Sequence, residues 1–231
     1  EEDSDVVGVI VHINSPGGTM VGGETLYEAL RRIGETRPIV AEMGTVAASG
    51  GYMTAIAADH IVARRGTITG SIGVIFQSMN FTGTLEKLGV EPLTVKSGPL
   101  KAAPNPFEPV DDAAKSAMQG LISDMFEVFV GMVADRRDLP VDTVRTLADG
   151  RVYTGQQAVA NGLIDEIGGR REALSWLEEE AGITPEAEVV PLEIEYPEDD
   201  LMTALLEGNL GKVLSSEGLK LDGLLAVWQP E

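Results

Sequence analysis

The chain has 231 residues, of which 43% are hydrophobic and 23% are charged, a composition typical of a soluble globular protein. Its formal net charge of −20 argues against electrostatic binding of nucleic acid or of an anionic membrane surface. The sequence contains no cysteine, which excludes disulfides, thiolate metal sites and a cysteine nucleophile.

The beginning of the sequence is unusual for a complete domain. Only five residues precede VVGVIVHI (residues 6–13), an apolar run that predicts a strand buried on both faces. Since domains rarely open with a central strand, we expect the sequence to be a fragment or a trimmed form that lacks an N-terminal piece. The residues EEDSD are unlike a signal peptide, and no apolar run approaches the ~20 residues of a membrane span. A membrane anchor or export signal could therefore have been lost with that piece.

Strand-like and helix-like segments alternate over the first hundred residues. The turn NSPGG leads into a segment with helical apolar spacing, and Pro38 opens a short strand. After the strand at 6–13, the predicted elements are a helix over 22–33, a strand over 38–43, a helix of small residues over 48–58, a strand over 60–63, a helix over 84–88 and a strand over 93–96; residues 67–76 are β-branched and punctuated by glycine. This alternation predicts an α/β domain with a largely parallel sheet.

The second half is richer in helix. A long helix is predicted over 111–136, with apolar residues on one face, and another begins at Pro140. A helix that closes at Asn161-Gly162 precedes a short strand, and one more helix follows over 170–181. We expect residues 1–182 to form one domain and residues 183–231 to form an acidic extension with a weakly amphipathic helix from about residue 200. This extension could serve subunit packing, act as a lid or bind in a neighbouring groove.

The stretch INSPGGTMVGG (residues 13–23) runs from a strand through Pro-Gly-Gly into a helix. Such a turn exposes backbone N–H groups, which is the geometry that stabilises a developing oxyanion. A tight turn without any chemical role is the alternative interpretation.

The stretch AASGGY places Ser49 before two glycines at the start of a helix. A serine at the first turn of a helix is most often a cap. Here the flanking alanines and glycines keep side chains away from the hydroxyl, and the N–H of Gly50 could join that of Gly17 or Gly18 in an oxyanion hole. The stretch thus leaves two interpretations of Ser49, a helix cap or a nucleophile.

A nucleophilic serine requires a base. The chain has two histidines, His12 and His60, and neither has an acidic partner nearby in sequence, so a Ser-His-Asp triad is poorly supported. The remaining candidates are Lys96 and Lys101 in VKSGPLKAAPNPFEP. A lysine acts as a base only when its amine is neutral, and burial among apolar and proline residues favours the neutral form. The alternative for Lys101 is a solvated loop residue.

The order of motifs INSPGG, AASGGY and TGSIGV, then a lysine before a proline-containing segment, resembles the signal peptide peptidase A family of Ser-Lys proteases. The resemblance covers about residues 5–180, and YTGQQAVANGLIDEIGG is similar to the segment that closes the catalytic domain. It implies an α/β fold, with a Clp protease/crotonase-like core of stacked βαβ units and a C-terminal helical extension.

The resemblance also implies the roles of individual residues. These are Ser49 as the nucleophile, Lys101 rather than Lys96 as the general base, Ser71 or alternatively Thr69 as the hydroxyl that orients the lysine, and Gly18 and Gly50 as the oxyanion-hole amides. The apolar side chains of Met20, Val21 and Met53 suggest a shallow specificity pocket for Ala or Leu. No metal or cofactor is expected.

The implied function is that of an endopeptidase that cleaves remnant signal peptides and other unstructured apolar peptides. Because the chain has one copy of each motif, the resemblance implies a ring-like homo-oligomer in which Lys101 of one subunit completes the site around Ser49 of the next. The expected location is the bacterial cell envelope, with an inner-membrane anchor outside this sequence and the domain facing the periplasm; the cytoplasm is the alternative. Other candidates are a phage-type capsid maturation protease, a crotonase-like acyl-CoA enzyme and a catalytically inactive scaffold paralog.

Overall fold

The computed structural model describes residues 5–184 and 187–192, which form two compact units. The first unit contains the described residues up to Thr69 and those from Tyr153 onward, and the second unit contains Gly70–Val152. The expected domain boundary at residue 182 stays a prediction. Most of the expected extension, including the helix from about residue 200, lies outside the described residues.

Strands and helices alternate in the described residues, as expected. In chain order the elements are β1 (Val9–Ser15), α1 (Met20–Gly34), β2 (Ile39–Ala48), α2 (Gly50–Ala55), β3 (His60–Ala63), β4 (Ile68–Gly70), α3 (Thr82–Leu88), α4 (Asp112–Arg137), α5 (Val141–Leu147), β5 (Val152–Thr154), α6 (Gly155–Ala160), β6 (Glu166–Ile167) and α7 (Arg170–Glu179).

The sheet has the strand order β5-β4-β2-β3-β6, and β1 pairs with β2 outside this path. The pairs β1–β2, β2–β3 and β3–β6 are parallel. Strands β2 and β3 are almost continuously apolar, and Ile39, Val40, Ile61 and Val62 are all 0% exposed. Helices α1 and α2 connect successive parallel strands, so the α/β core of βαβ units is confirmed.

The expectation for the first strand is wrong in one respect. Within the described part of the chain β1 pairs only with β2, and Ile13 is its one buried residue. Val6 and Val7 are 41% and 55% exposed and precede the strand. An apolar run predicts a strand, but it does not tell how many neighbours the strand has, so β1 is not buried on both faces.

The β-branched stretch over 67–76 forms a strand only as far as Gly70, because Ser71 has a φ of 51°, outside the range of strand backbone. One further strand prediction is wrong. No strand forms over 93–96, where Leu93 and Val95 are 94% and 92% exposed. Short β-branched runs carry a strand propensity that requires a neighbouring strand, and here that neighbour is missing among the described residues.

The long helix α4 confirms the prediction over 111–136. Its N-cap is Asp111, whose side chain accepts a hydrogen bond of 2.7 Å from the N–H of Ala114. By length and composition alone, α4 is able to cross a membrane, contrary to the expectation from the sequence; the core helix of a soluble protein passes the same test. Phe129, Val130 and Val133 are buried, which places the C-terminal half of α4 against other residues of the protein.

Candidate active site

Ser49 lies at the junction between β2 and α2. Strand β2 ends at Ala48 and α2 begins at Gly50, so the chain turns within a single residue. Ser49 makes this turn with φ 52° and ψ −121°, a conformation that costs a non-glycine residue about 1–3 kcal/mol. Ser49 occupies the N-cap position of α2, but within the described residues its side chain makes no capping hydrogen bond. The hydroxyl of this half-buried residue is left for another role.

The Pro-Gly-Gly turn after β1 packs directly against Ser49. A Cβ atom on Gly17 would lie 2.8 Å from the Cβ of Ser49 and 3.1 Å from the amide nitrogen of Gly50. A Cβ atom on Gly50 would lie 3.2 Å from the amide nitrogen of Gly18. Gly17 also has a φ of 120°, which side-chain-bearing residues rarely adopt. The glycines are therefore required by close approach of the two turns.

Two backbone amides next to Ser49 have no acceptor among the described residues. Within the described part of the chain, the N–H groups of Gly18 and Gly50 make no hydrogen bond, whereas the N–H of Gly17 donates to Oγ of Ser15 at 3.2 Å. Free donors in two adjoining turns, beside a hydroxyl, are what an oxyanion hole requires. The geometry agrees with the expected pair Gly18 and Gly50, and their role stays a prediction.

Both histidines have carboxylate partners, which the sequence spacing did not reveal. Nδ1 of His12 lies 3.4 Å from Oε2 of Glu42, and Nε2 of His60 lies 3.2 Å from Oε2 of Glu166. Each pair joins neighbouring parallel strands, so residues distant in sequence become adjacent in the sheet.

Neither histidine lies near Ser49 in its own chain. His60 pairs in register with Val40, nine positions before Ser49, which corresponds to roughly 25–30 Å along the strand. His12 pairs in register with Glu42, seven positions before Ser49, and its Nδ1 atom contacts the Glu42 carboxylate. The structure therefore argues against a triad built on either residue.

Lys96 belongs to a hydrogen-bonded network in the second unit. Its ammonium group forms an ion pair with Glu108. Nδ2 of Asn105 donates to the same carboxylate at 2.9 Å and to the carbonyl oxygen of Ala102 at 3.0 Å. The hydrogen bond from Lys96, followed by that from Asn105, holds the pKa of Glu108 below its usual value. Lys96 thus holds together the loop that contains Lys101.

Lys101 is exposed in the single chain, contrary to the burial expected from its apolar neighbours. Within the described residues its ammonium group has no hydrogen-bond or ion-pair partner. The neighbouring proline and alanine residues do not close over it, because short side chains cannot cover a long one. Of the two candidate lysines, Lys101 is the one whose amine is not already paired.

Backbone strain coincides with the predicted site positions. Among the described residues four non-glycine residues have a positive φ: Ser49, Ser71, Ala102 and Asp138. Asp138 is the left-handed C-cap of α4, an ordinary use of this conformation. The other three are two predicted site residues and the neighbour of Lys101. Such strain concentrates at functional sites, and no residue pattern could have shown it beforehand.

The two candidate hydroxyls differ in their environment. Thr69 is 0% exposed, and its Oγ1 donates to the carbonyl oxygen of Ala47 at 2.7 Å. This bond commits Thr69 to β2. Ser71 is half-buried and its N–H donates to the carbonyl oxygen of Arg151 at 2.9 Å. The preference for Ser71 over Thr69 agrees with this difference.

The three residues expected to form a specificity pocket are not equivalent. Met53 is 1% exposed, and its sulfur would lie 2.9 Å from a Cβ atom on Gly23. Its side chain packs between α1 and α2, so the prediction that it lines a pocket is corrected. Met20 is half-buried and Val21 is 64% exposed, which leaves both accessible at the start of α1.

The protein thus has an α/β core with a strained serine beside two backbone amides that are unpaired among the described residues. These features define a candidate nucleophilic-serine site. The sequence model of peptidase family S49 matches residues 31–184. The chain therefore belongs to peptidase family S49.

Three relatives give this assignment context. A Synechocystis protein that is provisionally named a protease is 40% identical over 80% of this chain and 67% of its own length. A protein of Enterococcus faecium, provisionally named signal peptide peptidase SppA, is 39% identical over 95% of this chain and 62% of its own length. The chloroplastic serine protease SPPA of Arabidopsis thaliana is 32% identical over 94% of this chain and 34% of its own length. The chain thus spans between one third and two thirds of these relatives.

The packing of the two turns predicts the effect of one methyl group. Gly17→Ala should strain the backbone and push against Ser49, at a cost of about 1–3 kcal/mol. This corresponds to a fall in Tm of roughly 2–4 °C for each kcal/mol. The control is Gly66→Ala, since Gly66 has no atom within 4 Å of the added carbon and no positive φ. Equal melting temperatures for the two variants would contradict the described contact.

Proposed function

We propose that this protein is a serine endopeptidase in which Ser49 and Lys101 form a catalytic dyad. The observation that carries the proposal is the geometry of Ser49, which has a strained backbone and no capping bond and lies beside the unpaired amides of Gly18 and Gly50. Membership of a peptidase family and the protease names of the relatives support the reaction class. The name of the Arabidopsis relative supports a serine nucleophile.

In this mechanism the neutral amine of Lys101 accepts the proton of the Ser49 hydroxyl. The serine oxygen attacks the scissile carbonyl carbon, and the N–H groups of Gly18 and Gly50 stabilise the oxyanion. The lysine ammonium gives its proton to the leaving amine as the peptide bond breaks. A water molecule then attacks the acyl-enzyme and gives a proton to the amine of Lys101. The ester bond to Ser49 breaks, the lysine returns the proton to the serine oxygen, and the peptide acid leaves. Ser71 accepts or donates a hydrogen bond that orients the lysine amine.

The exposure of Lys101 in a single chain bears on its activation. An amine in water stays protonated at neutral pH, so a base at this position requires cover. A second copy of the chain would supply that cover in a ring-like homo-oligomer with shared sites. Large apolar side chains of the second unit are exposed, among them Ile75, Met79 and Leu88 at 70–75%. These exposed apolar side chains are candidate subunit contacts.

The proposed substrates are remnant signal peptides and other unstructured apolar peptides, in keeping with the name of the Enterococcus faecium relative. The net charge of −20 speaks against nucleic-acid partners. The proposed location is the bacterial cell envelope. An acyl-CoA enzyme is disfavoured by the family match and a scaffold paralog by the presence of both Ser49 and Lys101.

A fluorophosphonate probe tests the dyad directly, because it reacts with activated serine hydroxyls. Ser49→Ala should abolish labelling. Lys101→Ala should slow labelling about 10²- to 10⁴-fold, the range of a general base. Lys87→Ala, a change at the end of α3, is the matched control and should leave the rate unchanged. Rapid labelling of Lys101→Ala, together with loss of labelling in His60→Ala, would contradict the proposed dyad.

Mixing two inactive variants tests whether the site is shared between subunits. When Ser49→Ala and Lys101→Ala chains assemble at random, a competent site forms wherever an intact serine meets an intact lysine of its neighbour. Peptidase activity of an equimolar mixture should therefore recover to about one quarter of the wild-type value. Each variant alone is the control. A mixture that stays inactive, with a wild-type protein that is fully active as a monomer in solution, would contradict the shared site.

A further inference from the structure

The end of β2 that leads to Ser49 is irregular in its pairing with β1. Ile13 faces Met43, but Ser15 faces Ala47, so one residue of β1, Asn14, spans residues 44–46 of β2. Two extra β2 residues therefore bulge out of the ladder. Bulges re-aim the side chains that follow them and are frequent beside active sites. Pairing resumes at Ala47, two residues before Ser49.

On the β1 side, the side chain of Asn14 bonds to the bulge where a backbone ladder bond would otherwise form. Oδ1 of Asn14 accepts a hydrogen bond of 3.1 Å from the N–H of Val46. The same side chain covers Gly44, where a Cβ atom would lie 3.1 Å from Cβ, Cγ and Oδ1 of Asn14. Gly44 is thus the residue that lets Asn14 approach the bulged backbone.

Two buried hydroxyls hold the other side. Oγ1 of Thr67 donates to the carbonyl oxygen of Gly44 at 2.8 Å and accepts from the N–H of Arg64 at 3.1 Å. Oγ1 of Thr69 donates to the carbonyl oxygen of Ala47 at 2.7 Å. The two threonines are 3% and 0% exposed, so water cannot replace these bonds. Each lies next to or within β4, the strand beside β2.

We propose that Asn14, Thr67 and Thr69 are positioning residues that clamp the bulge of β2 and thereby hold Ser49 in its strained conformation. The inference rests on the proposed function, because it assigns the clamp to the same nucleophile. A positive φ at Ser49 persists only where the surrounding structure leaves the chain no alternative. The three side chains fix the backbone at residues 44, 46 and 47 from both neighbouring strands. Relaxation of the bulge would let the turn at Ser49 relax as well.

The hydroxyl of Thr69 offers the sharpest test of the clamp, because its bond is fully buried. Thr69→Val keeps the shape of the side chain and removes only the donor, so the Ala47 carbonyl loses this hydrogen bond in a place closed to water. Thr69→Ser returns the donor without the methyl group. The matched control is Tyr52→Phe, which also removes one buried hydroxyl bond, that of 2.8 Å to the carbonyl oxygen of Leu163, an acceptor outside the bulge.

The test combines kinetics with amide hydrogen exchange on the full chain. For Thr69→Val we expect kcat and the fluorophosphonate labelling rate to fall about 5- to 30-fold, with KM within about twofold of the wild type. Exchange should quicken over residues 44–50 and not elsewhere. Thr69→Ser should restore both values, and Tyr52→Phe should change neither. Because Asn14 is exposed, Asn14→Ala should fold and show the same local exchange from the opposite strand.

The outcomes separate the clamp from the proposed function. If Thr69→Val and Tyr52→Phe behave alike in exchange and in kcat, the clamp is overturned. Exchange that rises evenly along the chain also overturns it. If the wild-type protein neither cleaves peptides nor reacts with the probe, the proposed function fails. Amide hydrogen exchange of Thr69→Val then decides between the outcomes. Faster exchange confined to residues 44–50 supports the clamp, and any other pattern overturns it.

Discussion

The site depends on one backbone constraint: the chain must pass from a buried strand into a helix at Ser49 without a connecting loop. It does so with a positive φ at a residue that carries a side chain, at a cost of about 1–3 kcal/mol. The rigid surroundings offset this cost. Strand β2 lies in the core, and the side chains of Tyr52 and Met53 in α2 are buried. The backbone of the Pro-Gly-Gly turn after β1 packs closely against Ser49, so that Ser49 has no room for a relaxed conformation.

The second unit follows the same design on a smaller scale. Ser71 and Ala102 also have positive φ values, and the network of Lys96, Glu108 and Asn105 ties down the carbonyl group of Ala102. Charged groups there serve as scaffold, and the neighbouring Lys101 is left unpaired within the described residues. In each unit, side chains with hydrogen-bond partners support a predicted site residue. Within the described residues, the hydroxyl of Ser49 and the ammonium group of Lys101 have no such partner.

Much of this arrangement could be read from the sequence. The strand at residues 60–63 was predicted at its observed bounds, because HIVA is apolar and stands between clear turn signals. Three properties could not be read. Among the described residues one strand borders β1 and no strand borders residues 93–96, and neither number can be read from an apolar or β-branched run. The exposure of Lys101 and the burial of Met53 depend on packing between distant segments. The carboxylate partners of the histidines arise only when parallel strands align.

In the proposed mechanism Ser49 and the amides of Gly18 and Gly50 act together on a reacting carbonyl group. A crystal structure of the protein after reaction with a peptide boronate would show whether they do. We expect a covalent bond from Oγ of Ser49 to boron, with one boronate oxygen about 2.7–3.1 Å from both amide nitrogens. An adduct on another residue, or a boronate oxygen that contacts neither amide, would contradict it.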